Sequence, residues 1–288
     1  MIPELCSILC SVIPFKKLRR RARMSLTKIL TDYRVDNGAV YPLTTMARSE
    51  YAPMNSLIGK SSRVLVVAPH PDDESIALGG ILAKYSRQCD VFCVSSSGYK
   101  RPSDTETAEE IADIRIGEFH AALDALGIKK RWIVRIYGDI PHFDQMLAKM
   151  GEYKSLVDFS QYDVILLPDP LDAHREHQFV TNHLVPRLLQ ECGYKSTAVV
   201  GYYPVWGTVT APNYFEDITD YVTIKENAIL CYGTRMQTKD NLWERTKALN
   251  YFYGFMADYH TRYAEALHVE PIEELIKRPD NRNWARYM

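Results

Sequence analysis

Residues 63–74 read RVLVVAPHPDDE. The first six, RVLVVA, form a short β-branched run, which predicts a buried strand of a parallel sheet. Directly after it stand an imidazole and three consecutive acids: His70, Asp72, Asp73 and Glu74. In open parallel sheets, ligands bind beyond the carboxyl ends of the strands, so this edge is a candidate site. A charged cluster after a buried strand is costly unless something uses it. A plainer reading makes Asp72 or Asp73 the cap of the next helix, with Glu74 complementing its dipole. That accounts for one or two acids, but for neither His70 nor its position.

Working outward, residues 73–85 have helical spacing and 90–95 (DVFCVS) read as a second strand. A long helix is predicted near 106–126, with Ile111, Ile114, Phe119, Ala122, Leu123 and Leu126 on one face and Gly127 ending it. Strands follow at 132–137 and 163–167, a helix near 178–191 and a strand at 197–203; the last 70 residues shift toward helix. This alternation predicts an α/β fold of three layers, a mostly parallel sheet with helices on both faces. Without repeats or an obvious linker, the chain reads as one domain over 61–270. A basic helical extension (1–60) precedes it and a tail (271–288) follows it.

The 288 residues carry 35 Lys and Arg against 36 Asp and Glu, a net charge of −1. That balance argues against a protein that coats nucleic acid through bulk charge, so no nucleic-acid partner is expected. No run of 18 apolar residues suggests a spanning helix. The six cysteines are scattered, without a zinc-ribbon pattern, and are expected as reduced thiols of a cytoplasmic protein. Residues 1–15 (MIPELCSILCSVIPF) precede six cations between Lys16 and Arg23, the reverse of a secretory signal's order. Two readings stand for residues 1–25: a peripheral contact with an anionic membrane surface, or a helix packed on the domain.

His70 and Asp73 suit a divalent metal, because imidazole plus carboxylate is a common zinc donor set. A third ligand must come from another strand end. The strand at 163–167 runs into PDPLDAHREH, which brings two of the eight histidines, His174 and His177, at spacing three. On a helical turn they share one face, so that one can bind metal while the other faces substrate. The remaining histidines, His142 among them, are isolated and expected to be structural or solvated. No GxGxxG follows a strand and no GxSxG elbow is present, which disfavours dinucleotide and serine-hydrolase chemistry.

At this point the sequence resembles the PIG-L/LmbE-like family of N-acetylglucosaminyl de-N-acetylases. The resemblance runs from about residue 63 to 267. It rests on PHPDDE at 69–74, matched without change, and on HxxH at His174 and His177. Glu176 replaces the Asp usual in the second motif. Softer similarities are Arg115 with Glu118, Asp139, and Tyr263-Ala264-Glu265-Ala266.

The resemblance implies a Rossmann-like fold, Zn2+ as cofactor and an N-acetylated sugar or glycoconjugate as substrate. It assigns the metal to His70, Asp73 and His177. Asp72, free beside a ligand, is then expected to take the attacking water's proton and pass it to the departing amine. A protonated His174 is expected to stabilise the oxyanion. Arg115 is a candidate for substrate hydroxyls or phosphate, against an exposed ion pair with Glu118; Asp139 is a candidate for sugar hydroxyls, against a turn residue. In GYYPVWG (201–207) the aromatics either stack on a sugar or pack the core. Two alternatives remain: a non-haem iron oxygenase using the same two imidazoles and carboxylate, and a catalytically silent sugar-binding protein.

Overall fold

The structure, a computed structural model, describes residues 33–36, 39–42, 52–53, 57–209, 211–233, 242–258 and 260–278. The segment 1–25, read above as a possible membrane contact, lies outside the described residues. The chain forms two units, Met1–Glu50 and Tyr51–Met288. In the first, β1 (Tyr33–Asp36) pairs antiparallel with β2 (Ala39–Pro42).

The second unit is built on β3 (Ala52–Pro53), β4 (Val64–Ala68), β5 (Cys89–Cys93), β6 (Arg131–Ile133), β7 (Val164–Pro168), β8 (Val199–Tyr203), β9 (Tyr214–Asp217) and β10 (Ala264–Pro271). Its helices are α1 (Asp73–Lys84), α2 (Ala108–Ala125), α3 (Phe143–Ala148), α4 (Met150–Leu156), α5 (Arg175–Phe179), α6 (Val185–Cys192), α7 (Val222–Leu230), α8 (Leu242–Ala257) and α9 (Ile272–Lys277). The strands form one eight-stranded sheet in the order β3-β9-β10-β8-β7-β4-β5-β6. The run β8-β7-β4-β5-β6 is parallel throughout, and β10 pairs antiparallel with both β8 and β9.

Side-chain alternation along the strands separates two cores. Leu65, Val67, Phe92, Ile165 and Leu167 face Phe143, Tyr153, Leu188 and Leu275 of α3, α4, α6 and α9. Val64, Val66, Val91, Cys93 and Leu166 face Leu78, Ile81, Phe119, Leu123 and Ala228 of α1, α2 and α7. The fold is therefore the three-layer α/β sandwich expected. Both faces of β4 are covered, which is why VLVVA is apolar without interruption.

The sequence order steps from β4 to β5 to β6 and then returns to β7, on the other side of β4. This reversal opens a crevice beyond the carboxyl ends of β4 and β7, the usual ligand position in such sheets. Both charged motifs lie there.

Several details differ from the sequence reading. The helix expected at 178–191 is three pieces, α5, a π-helical turn (Val180–Leu184) and α6. The last 70 residues hold an antiparallel strand, β10, as well as helices. The sheet takes in Ala52–Pro53, ahead of residue 61, and the segment read as a tail begins with α9, whose Ile272 and Leu275 are buried in the core. No helix among the described residues is long and apolar enough to cross a membrane.

Gly98 closes the edge of the crevice. A Cβ there would stand 2.4 Å from the Ala108 carbonyl oxygen and 2.6 Å from the Cβ atoms of Ala112 and Tyr137. Backbone and Cβ atoms cannot swing away, so Gly98→Ala must move α2 or the 137 loop. The substitution is expected to cost about 1–3 kcal/mol, read as a lower urea midpoint. An unchanged midpoint would contradict this packing.

Candidate functional site

The turn after β4 holds its acids in an unusual backbone. Asp72 has φ +117° and ψ −33°, and although it stands at the N-cap of α1 its side chain makes no cap hydrogen bond. The helix-cap reading therefore fails for Asp72. Non-glycine residues in such conformations carry strain that surrounding contacts must hold, and functional sites are where it concentrates. The contacts here are specific. Arg115 donates to the carbonyl oxygens of Pro71 (2.8 Å) and Ser96 (3.2 Å), and its guanidinium lies 3.6 Å from the Asp72 carboxylate. The Asp72 N–H donates to Glu74 Oε2 at 3.2 Å, and buried Glu74 is held by Ser75 Oγ (2.7 Å) and the Tyr232 hydroxyl.

Three donor atoms converge between the two strand ends. His70 Nδ1 is 3.2 Å from His177 Nε2 and 3.3 Å from Asp73 Oδ2; His177 Nε2 is 3.1 Å from the same Asp73 oxygen. A tetrahedral ion with bonds of about 2.0–2.1 Å holds its donors about 3.3–3.4 Å apart. The triangle fits one zinc-sized ion with a small expansion. His70, Asp73 and His177 are also almost completely buried, so their charges need a partner.

Each imidazole is backed by a carboxylate. His177 Nδ1 lies 3.1 Å from Asp172 Oδ1, and the other Asp172 oxygen accepts from the N–H groups of Val205 (3.2 Å) and Trp206 (3.0 Å). His70 Nε2 contacts Glu176 Oε2, while Glu176 Oε1 takes the His142 N–H and lies 3.2 Å from His142 Nδ1. Such pairs fix the ring tautomer, leaving the opposite nitrogens of His70 and His177 free to bind a cation.

His174 differs. Its rings sit 4.9 Å from His70 and 4.7 Å from His177, and a nitrogen of each of the three imidazoles lies within 4.8 Å of the others. A three-histidine ion is therefore conceivable on distance alone. However, His174 caps α5, its Nδ1 accepting the Glu176 N–H at 3.3 Å. The proton then sits on Nε2, which makes that nitrogen a donor rather than a ligand. Asp73 is the better third donor.

The electrostatics follow from burial and alternation of sign. Burial opposes a charge on His70, but the hydrogen bonds to Asp73 and Glu176 outweigh it and lift its pKa to about 10. Burial also works to raise Asp73 and Glu176, yet the neighbouring imidazoles pull both far below the usual carboxylate range. Asp72 goes the other way: burial raises it to about 7 despite the nearby Arg115. His174 is pushed down to about 4, first by burial and then by His70 and His177. Burial and the two neighbouring imidazoles thus favour the neutral form of His174, with its proton on Nε2.

The cleft over these atoms, about 340 Å3, is lined by His70, Asp72, Asp73, His174, Glu176 and Arg115, with Tyr99, Arg101, Ile140 and Trp206 around them. Arg115 is buried, not half of an exposed pair, and it braces the Asp72 turn while lining the cleft. Asp139 is exposed, and its neighbour Ile140 lines the cleft. GYYPVWG divides, with Tyr202 and Tyr203 in the core and Trp206 at the cleft. Asp172 and His142 were not singled out from sequence. The one signal for Asp172 was its place in a strand-end loop rich in acids; His142 is remote from both motifs.

The family described as GlcNAc-PI de-N-acetylase (PIG-L) matches residues 65–187, the stretch holding both motifs. The chain is 27% identical to diacetylchitobiose deacetylase of Thermococcus kodakarensis over 245 residues, 76% of this chain and 86% of that protein. Among solved structures, N,N'-diacetylchitobiose deacetylase from Pyrococcus horikoshii shares the fold with TM-score 0.60 and 24% identity, covering 83% of this chain and 95% of that one. The 4-carboxy-2-hydroxymuconate hydratase of Pseudomonas putida shares it too, with TM-score 0.55, 23% identity and coverage of 72% and 95%. The fold alone therefore does not choose the reaction. The stretch that resembles the PIG-L family, residues 65–187, is the one that carries the motifs on both strand ends.

Proposed function

We propose that this protein is a zinc-dependent hydrolase that removes the acetyl group from an N-acetylated amino sugar, with His70, Asp73 and His177 holding the metal. The observation that carries the reading is the donor triangle of 3.1–3.3 Å with an uncoordinated carboxylate, Asp72, in the same cleft. Zinc held there would act as a Lewis acid on the acetamide carbonyl and bring the pKa of the attacking water toward about 7.

The chain's own residues supply the rest. Asp72, poised near neutrality by burial, takes a proton from the water and delivers it to the departing sugar amine. Arg115 and Glu74 hold the Asp72 turn in its strained conformation, so the base is oriented before substrate arrives. His174 donates from Nε2–H to the carbonyl oxygen as negative charge develops on it. Asp172 and Glu176 keep the ligand rings in the tautomer that binds a cation.

The P. putida fold neighbour is named a hydratase, so addition of water to a substrate other than an amide is a second reading of the same ion and base. An oxygenase would require O2 uptake. Acetate release from a panel of N-acetylhexosamine conjugates, with and without a chelator, separates the deacetylase from both, and O2 uptake separates the other two. Asp72→Asn should keep its zinc and lose about 10²–10⁴-fold in acetate release; full activity would remove Asp72 as the base. Glu176→Ala should weaken zinc binding about 10–100-fold in a chelator competition, and undiminished affinity would contradict its role behind His70.

The metal-free site at pH 7 keeps a proton on His70, since its pKa of about 10 lies above the solution pH. Ligation needs the neutral ring, so zinc must expel that proton. Calorimetry in buffers of different ionisation enthalpy should show proton release at pH 7, fading as pH rises through about 10. A binding enthalpy independent of buffer would contradict the assignment.

A further inference from the structure

The helix that carries His177 changes type along its length. α5 runs into the π-helical turn (Val180–Leu184) and then into α6 without leaving helical backbone angles. The Val185 N–H donates to the Val180 carbonyl, five residues back instead of four. Pro186, in the first turn of α6, gives a reason. It has no N–H to donate, and in a regular helix its ring would clash with the carbonyl four residues earlier, that of Asn182. A π turn inserts one residue and opens that point, and such turns recur at functional sites.

The burial pattern shows what the extra residue does. Glu176 and His177, Val180 and Thr181, Leu184 and Val185, and Leu188 and Leu189 are all buried, in pairs four residues apart. A regular α-helix turns through about 400° in four residues, so over three such steps its buried face drifts by about 120°. The π turn spends one more residue on the same rotation and cancels about 100° of that drift. Leu184, Val185, Leu188 and Leu189 can therefore fill the core while Glu176 and His177 point into the crevice. In a regular helix one of the two sets would rotate away from its place.

The turn is also fastened to the loop that leads into α5. Thr181 Oγ1 donates to the Pro168 carbonyl at the end of β7 (2.8 Å). Asn182 Nδ2 donates to the carbonyls of Pro170 (3.0 Å) and Gln178 (2.7 Å), which engages both of its hydrogens. Gln178 Nε2 donates to the Asp172 carbonyl, and the Asp172 carboxylate backs His177. Strand end, loop and α5 thus form one hydrogen-bonded unit. We propose that the π turn aims Glu176 and His177 into the crevice, and that Thr181 and Asn182 are the positioning residues that hold it there. Neither lines the cleft, so both act through His177. The inference rests on the reading of His177 as a metal ligand and adds what orients it.

The test measures zinc affinity by chelator competition, and the visible spectrum of the Co2+-loaded protein, in Asn182→Leu, Thr181→Val and Thr181→Ser. Folding is checked by circular dichroism melting. Asn182→Leu and Thr181→Val should weaken zinc about 10-fold or more and alter the cobalt bands. Thr181→Ser keeps the hydroxyl and should match the wild type. A loss in either folded variant, with Thr181→Ser unaffected, upholds the assignment. Unchanged affinity and spectrum in both, or a Thr181→Ser loss equal to that of Thr181→Val, overturns it. If the wild type takes up no zinc, the metal reading fails by itself, and the turn is judged on the metal-free protein. Deletion of Asn182 together with Pro186→Ala permits a regular helix and should turn buried His177 outward, where diethyl pyrocarbonate modifies it. Modification of His177 in this variant and not in the wild type upholds the role of the turn; protection in both overturns it. Asn182→Leu is read in the same way if the shortened protein does not fold.

Discussion

The site depends on two neighbouring parallel strands delivering donors of opposite character to one point. β4 and β7 are hydrogen-bonded partners in register, Val66 opposite Leu166. Their carboxyl ends therefore cannot separate, and His70 and Asp73 from one meet His177 from the other. Burying these groups without compensation would be prohibitive. The arrangement offsets that cost by alternation: His142, Glu176, His70, Asp73, His177 and Asp172 form a chain in which acid and imidazole take turns. Removing any link strands a buried charge.

Around this chain the fold works as a brace. Arg115 on α2 reaches under the turn to grip the Pro71 carbonyl, and Tyr232, just beyond α7, holds Glu74 from the other side. The buried Lys225–Glu265 pair ties α7 to β10, and Glu265 caps two N–H groups within α1. Close contact there requires small residues: a Cβ on Gly79 would meet Lys225 Cγ at 2.8 Å, and one on Gly80 would meet Ile218 Cγ2 at 2.5 Å. The glycines that look like helix weaknesses in the sequence are where α7 and the chain just before it press onto α1.

What could be read from sequence was what local chemistry dictates. An uninterrupted apolar strand followed by HPDDE, and another followed by HREH, point to one crevice because parallel sheets put ligands at that edge. The long helix α2 was legible because its apolar face repeats and Gly127 stops it, at φ +78°. The antiparallel β9 and β10 were not, because short strands with mixed polarity lack a periodic signal and gain their stability from neighbours. Pro186 can mark a break in the helix at 178–191, but residue type does not say that the break is a π turn. His142 has no motif around it; only the fold brings it to Glu176. Asp139 lies exposed in its loop while Ile140 beside it lines the cleft, a difference that residue type alone does not decide. The charge of His174 depends on burial and on two neighbouring imidazoles, which sequence does not reveal.

The most direct measurement is a crystal structure of the zinc-loaded protein with anomalous data collected at the zinc edge. The account predicts one ion bound by His70 Nδ1, Asp73 Oδ2 and His177 Nε2, with Asp72 and His174 close by but unbound. An ion held by His174 in place of Asp73, or no ion between the ends of β4 and β7, would contradict it.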